Sequence, residues 1–591
     1  MNMKIVLKLI KISTIELWKK CKILFFLYFL RTIATALIPL VSVYFIKYIT
    51  YSLYPSIDIN MAIMYAALML LIEYILSSIK NIVVFFIEKY NEKIVNDDRY
   101  EISTEFLKIF FQKTEDAEFF DNYYKSLDYV NRASVLHIIN QICSIISNLI
   151  TISGLIFLIQ EVSIFALFCC VMIWVVKTTF DNRLNKLRYK MYDQNYNFYR
   201  KNDYFIWTLA DASYVKENKL YDLKDFLSNK IDIASKNIIN KMKQEQNVLF
   251  KNGIVQIFLN YILMSIIYLS MIFLYEKQNL EIAQYSMLLS AFFSLANAIY
   301  SSINSFLLIK NENLYFEKFK QISSMYISDK KKVTEKCPSK VKTIEFKNVS
   351  YCYPNTNKNA IDNLSLKIDL NETRKISLVG VNGSGKTTFI KLLLKLYQPT
   401  NGKIFLNGID ISKIETDRYY ELFSPVFQDF NIYQCSINEN VSFSNESIET
   451  ELKEVGLYNT IMKLEKKQES NITKIFDQEG VDFSGGEKQK IAIARALKKN
   501  SQIIVLDEPT AQLSVESECA LYETLKGHKS IVFFISHRLS SCKFTDLILV
   551  FENGKIIENG THKELMINKK IYYKMFSKQA SNYWKEDDGN E

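Results

Sequence analysis

Six apolar stretches, all before residue 310, constrain this chain more than any other feature of its sequence. They run over 23–49, 61–87, 136–160, 163–176, 254–275 and 284–308. A helix needs roughly 20 residues to cross about 30 Å of hydrocarbon, and the segment at 163–176 is the weakest of the six by that measure. Lipid offers no partner to a backbone N–H or C=O, so segments of this kind can only be helices, which satisfy those groups internally. The connections after the first, third and fifth stretches are short and poor in Lys and Arg, whereas those after the second and fourth are long and charged. The positive-inside rule then predicts a multi-pass protein of the plasma or inner membrane with both termini in the cytosol. The formal net charge of +10 comes largely from basic residues at the ends of these stretches, so it implies membrane topology and no nucleic-acid partner.

Residues 1–20 place Lys4, Lys8 and Lys11 on one helical face and Ile5, Leu9, Ile12 and Ile15 on another, with Trp18 near the end. This pattern predicts a helix lying in the interface and touching membrane lipid. The two long inner connections, 88–135 and 177–253, keep helical periodicity, so the spans are expected to continue as long cytosolic helical extensions. Their tips are predicted near DAEFFDNYY (116–124) and DASYVKENKLY (211–221), whose interleaved aromatics suit a protein groove. Arg31 and Glu73 fall at similar depth inside two spans and are expected to pair or to face a wet cavity, since charge in lipid is costly. The nine cysteines contain no CxxC pair and are predicted to be reduced and inert.

From residue 342 the character changes to short apolar runs separated by Gly and Asp turns. A strand KISLV leads into GVNGSGKTT at 380–388, a P-loop match. In such a loop the main chain over Gly380, Asn382, Gly383, Ser384, Gly385 and Thr388 cradles nucleotide phosphates at a helix N-terminus. Lys386 reaches the terminal phosphates and the Thr387 hydroxyl reaches Mg2+. Further on, IIVLDEP at 503–509 is an apolar strand ending in two acids. That spacing suits Asp507 as a metal ligand and Glu508 as the group that orients or activates the attacking water.

Between these motifs stands SGGE, Ser484, Gly485, Gly486 and Glu487, followed by KQKIAIARAL. With the other two in this order, it resembles the signature of ABC ATPases, and the whole chain resembles an exporter-type half-transporter. The implied fold class is an α-helical transmembrane domain of six spans plus an α/β P-loop ABC ATPase domain. The expected divisions are an interfacial helix at 1–20, a transmembrane domain at 21–315, a linker at 316–341, an ATP-binding domain at 342–580 and a tail at 581–591. By the same resemblance Tyr353 stacks on adenine, with Tyr351 as its rival. Gln428 reaches magnesium and water, and His537 is the switch histidine on the terminal phosphate. Ser484, Gly485 and Gly486 contact ATP held by the opposite subunit, which implies a dimer with a second copy or a related half-transporter. The sequence departs from the family after EPT, where Ala511, Gln512, Leu513 and Ser514 replace the usual Ser-Ala-Leu-Asp. This puts the coupling between sites in doubt, although a competent homodimer is the favoured reading.

The resemblance implies ATP-driven export by alternating access, an ATP hydrolase with ATP and Mg2+ as cofactors. The stretch around 215–226 (VKENKLYDLKDF) tilts the expected cargo toward a peptide or natural product. A lipid flippase or multidrug efflux pump is the alternative, and an ATP-gated regulatory or channel protein is the alternative of another class.

Overall fold

The computed structural model describes residues 3–55, 57–131, 134–158, 177–179, 182–183, 187, 197–278, 281–330, 334–354, 356, 358–444, 446–510, 512–536 and 538–584. The chain divides into two units, one of Met1–Ile109 with Glu115–Tyr326 and one of Phe110–Thr114 with Ile327–Glu591.

The first unit is helical. Among the described residues, five helices are long and apolar enough to cross a membrane: Lys22–Leu53, Ile59–Leu107, Val135–Leu158, Lys224–Phe273 and Ile282–Lys310. They correspond to five of the six expected spans, and the stretch at 163–176 lies outside the described residues. Only 6% of the most apolar window of Ile59–Leu107 is buried, as expected of a surface whose solvent is lipid. This helix has 49 residues, about 74 Å at 1.5 Å per residue, so it extends well past the hydrocarbon. Lys224–Gln278, with 55 residues, does the same.

The N-terminal helix Met3–Lys20 buries Leu9, Ser13 and Leu17, a strict i, i+4, i+8 row, and leaves Ile15 and Trp18 exposed, which does not conflict with a side turned to lipid. Other expectations in this unit need correction. Arg31 and Glu73 do not pair. Arg31 donates to Asn140 Oδ1 at 2.6 Å, and Glu73 accepts from the Ser42 hydroxyl at 2.5 Å. Each charge is met by a neutral polar group on a neighbouring helix, which satisfies it without an ion pair. Phe119 and Tyr123 are not a groove-seeking tip either. They sit on the helix Ala117–Asn131 and close against Phe106, with Phe106 and Tyr123 ring centroids 4.3 Å apart. The short helix Phe111–Thr114 belongs instead to the second unit, where the Phe111 ring lies 6.2 Å from Tyr397 and Gln112 Oε1 accepts from the Gln398 N–H at 3.2 Å. The helix Ile282–Lys330 continues unbroken into the stretch 316–341, expected as a linker, and the division between the two units falls inside that stretch, at Tyr326 and Ile327.

Among the described residues the second unit contains two sheets. Its strands are β1 (Thr343–Cys352), β2 (Asn359–Asp369), β3 (Lys375–Gly380), β4 (Asn401–Leu406), β5 (Ile409–Asp410), β6 (Phe423–Val426), β7 (Ile503–Asp507), β8 (Ile531–Ile535), β9 (Leu547–Glu552) and β10 (Lys555–Gly560). The smaller sheet has the order β2-β1-β4-β5 and is antiparallel. The larger has the order β10-β9-β3-β8-β7-β6, with every pair from β9 to β6 parallel. Strands β3, β7 and β8 are buried along their whole length, which explains why KISLV, IIVLD and IVFFI read as continuous apolar runs. The helix Ile571–Trp584 ends the described chain and runs past the expected boundary at 580.

Candidate active site

Four neighbouring strands deliver the candidate residues. In the order β3-β8-β7-β6, the C-terminal ends lead into the P-loop, the switch loop after Ile535, the acids Asp507 and Glu508, and the turn carrying Gln428. Leu378 is level with Ile535, Ile535 with Asp507, and Leu506 with Val426, so the ends lie in register. Ligands of parallel α/β sheets bind outside these ends, because the loops there converge on the N-termini of the following helices.

The P-loop has little room for side chains at its start. Gly380 has φ +150°, and a Cβ there would lie 2.3 Å from the Phe551 carbonyl oxygen, so only glycine fits. The helix Lys386–Leu393 follows. Lys386 is 5% exposed, and its Nζ donates to the carbonyls of Gly380 and Val381 at 2.9 and 3.0 Å. Burial holds its ammonium below the usual lysine range, against the pull of Glu508 and Asp507. The Ser384 hydroxyl oxygen and Asp507 Oδ1 are both buried without a hydrogen-bond partner among the described residues. Burial pushes the Asp507 carboxyl up to about 6, with the Thr387 hydroxyl bond opposing the shift and Glu508 adding to it. A buried cation held by its own main chain, an orphaned hydroxyl and one orphaned carboxylate oxygen fit a polyanion with its metal, which would supply the missing partners. Glu508 follows with φ +51°, a left-handed conformation that few non-glycine residues adopt, and its N–H donates to the Ile535 carbonyl at 3.2 Å.

The structure separates the two tyrosine candidates. Tyr351 is fully buried and stacks on Tyr397 at 5.0 Å and 8°, so its ring faces are used in the core. Tyr353 is half-buried, and its hydroxyl lies 3.0 Å from Thr388 Oγ1 on the P-loop helix. Gln428 is exposed in the turn after β6. His537 lies outside the described residues, but its neighbours are tightly held. The Arg538 N–H donates to Ser536 Oγ at 3.0 Å, and the Arg538 guanidinium pairs with Glu518, which is 5% exposed and also accepts from Tyr522 at 2.9 Å.

The signature residues stand elsewhere. Ser484 caps the helix Gly485–Lys499, accepting from the Glu487 N–H at 3.3 Å while its own N–H donates to the Glu487 carboxylate at 2.8 Å. They line a surface cavity of about 530 Å3 with Lys490, Gln512 and Ser514, and no P-loop residue shares it. Ser514, where the family has an acid, is the N-cap of Val515–Gly527 and accepts from the Ser517 N–H at 3.3 Å. Serine and aspartate cap equally well, so the local fold survives the replacement.

Residues 361–511 match the family model described as ABC transporter. The chain carries an ABC transporter domain. The subtilin transport ATP-binding protein SpaT of Bacillus subtilis is 31% identical over 403 residues, covering 65% of this chain and 63% of SpaT. The beta-(1-->2)glucan export ATP-binding/permease protein NdvA of Bartonella quintana is 36% identical over 247 residues, 40% of each chain. The chain thus spans less than two thirds of the length of either relative in the matched region. A solved bacterial Atm1-family ABC exporter with ATP bound superimposes with a TM-score of 0.79 at 18% identity, over 95% of this chain and 98% of that one. The fold is therefore that of an ABC exporter, a helical membrane domain joined to an α/β ATPase domain.

Proposed function

We propose that this chain is an ATP-driven exporter of the cell membrane with cytosolic termini, working as a dimer with a second copy of itself. The observation that carries the reading is the separation of the two half-sites. The P-loop, Asp507 and Glu508 converge at one set of strand ends, while Ser484, Gly485 and Gly486 face a cavity that none of them shares. Two chains placed head to tail complete both halves at once, so bound ATP holds the dimer closed and its hydrolysis releases it.

Within one site Lys386 and the P-loop amides hold the phosphates and Tyr353 flanks the base. Thr387, Asp507 and Gln428 hold Mg2+, which when bound neutralises charge on the phosphate oxygens. Glu508 orients and accepts a proton from the attacking water, and His537 contacts the terminal phosphate. The fixed donors do most of the work, since phosphoryl transfer needs positioning and charge stabilisation more than covalent help. The cargo is proposed to be a peptide or natural product, on the resemblance around 215–226 and the likeness to the subtilin transport protein.

The test is phosphate release by the purified chain in lipid nanodiscs, with peptides, lipids and drugs added in turn. Turnover that drops at least about a hundred-fold in Glu508→Gln and rises with peptides supports the reading. Turnover indifferent to Glu508 removes the enzyme, and stimulation by lipids alone removes the peptide.

A further inference from the structure

The catalytic end of β7 and the signature turn are joined by one buried side chain that no motif role accounts for. Gln489, one turn into the helix Gly485–Lys499, is 2% exposed. Its Nε2 donates to the Glu508 carbonyl at 3.4 Å, and its Oε1 accepts from the Gln512 N–H at 3.2 Å. Both ends of the amide are thus spent on the short segment that links the acids to Ser514. That segment also lies flat on the signature turn. A Cβ on Gly485 would sit 2.4 Å from Gln512 Oε1, and one on Gly486 would sit 2.7 Å from the Gln512 carbonyl oxygen. The absence of a side chain at Gly486 is therefore required by the Gln512 main chain as well as by any phosphate, whereas at Gly485 only the Gln512 side chain would have to move.

We infer that Gln489 is a positioning residue that sets the register between Glu508 and the signature turn, and so couples the two nucleotide sites of the dimer. The inference rests on the ATP-driven dimer proposed above. Glutamine is the chemistry the position needs, because it offers a donor and an acceptor at once, whereas an ionised glutamate only accepts. Glu508 serves the nucleotide on its own P-loop, and the signature turn serves the partner's. A shift of either is passed to the other through a rigid amide held at both ends. The left-handed backbone of Glu508 makes its placement sensitive to that support, since such conformations persist only where their surroundings hold them. In this chain, where Ser514 stands in place of the usual acid, the Gln489 link carries coupling that a side chain at 514 does not.

The test compares wild type with Gln489→Met, which keeps the volume and loses both bonds, in full-length chain in nanodiscs. Three quantities are read: binding of a fluorescent ATP analogue, amide hydrogen exchange across 510–517 without nucleotide, and the rate and Hill coefficient of ATP hydrolysis. We expect binding within about two-fold, faster exchange at Gln512 and its neighbours, a kcat lower by about ten-fold or more, and a Hill coefficient closer to one. Unchanged exchange with unchanged kcat and Hill coefficient overturns the inference. Should Gln489→Met fail to fold, Gln512→Pro removes the same N–H from an exposed turn and carries the same expectation, and normal behaviour of that variant overturns it equally. Binding and exchange need no turnover. A chain that binds ATP yet shows no Glu508-dependent hydrolysis sinks the export reading, while the exchange comparison still decides whether Gln489 holds the segment.

Discussion

The spans of the membrane unit and the nucleotide-facing strand ends of the ATPase unit treat buried polar groups differently. In the membrane unit three polar groups inside the spans find neutral partners on adjacent helices: Arg31 with Asn140, Glu73 with Ser42, the Thr151 hydroxyl with the Ala36 carbonyl at 3.1 Å. In the ATPase unit two, Ser384 Oγ and Asp507 Oδ1, are left unsatisfied where the P-loop meets the end of β7. The first arrangement satisfies these three groups within the helices themselves. The second is incomplete by construction and asks for a ligand. The difference teaches where function is concentrated, and it can be tested by substitution in both units.

The largest contrast should come from Asp507→Asn. The raised carboxyl favours its protonated form in the fold, so its contribution to stability is full below about 4, the ordinary range, and is lost as pH rises through about 6. At pH 7 the permanently neutral amide should therefore stabilise the nucleotide-free ATPase unit, on the order of 2 kcal/mol by thermal unfolding, while abolishing magnesium-dependent turnover. At pH 4 the stability gain should vanish. A loss of stability at pH 7 would show that the bond from Thr387 outweighs the burial of this carboxylate.

A smaller effect is expected from Glu518→Ala, which breaks the pair with Arg538 and the bond from Tyr522. It should lower unfolding stability by about 1–3 kcal/mol and slow hydrolysis through the switch loop. Unaltered turnover would mean that the brace beside His537 is structural only. The smallest should come from the membrane unit. Glu73→Gln keeps an acceptor for Ser42 and removes only charge, so ATP turnover in nanodiscs should stay within about two-fold of wild type. A larger change would break the comparison by giving Glu73 a part in the transport cycle.

Legibility in the sequence followed the same division. The P-loop and the IIVLDEP run were readable because their residues are local in the chain and their geometry is set by one strand and one turn. The spans were readable because length and hydropathy answer to the thickness of lipid. What could not be read depended on contacts between distant segments. Tyr351 and Tyr353 are equivalent by sequence, and only the stacking of Tyr397 on the first separates them. Phe119 and Tyr123 looked like a docking tip until Phe106, thirteen residues before Phe119, was seen to cover them. Gln489 gave no signal at all, since its partners Glu508 and Gln512 meet it only in the folded domain.

The central claim, that each ATP is shared between the P-loop of one chain and the signature turn of another, is tested most directly by mixing two inactive variants. Lys386→Ala spoils every P-loop of its own dimer, and Ser484→Arg spoils every signature turn of its own. A mixed dimer holds one site with both halves intact. Co-assembled in nanodiscs, the two variants are predicted to recover a substantial fraction of wild-type hydrolysis that neither shows alone. Activity that stays absent on mixing, with mixed dimers verified by tag pull-down, would contradict the shared site and with it the proposed exporter cycle.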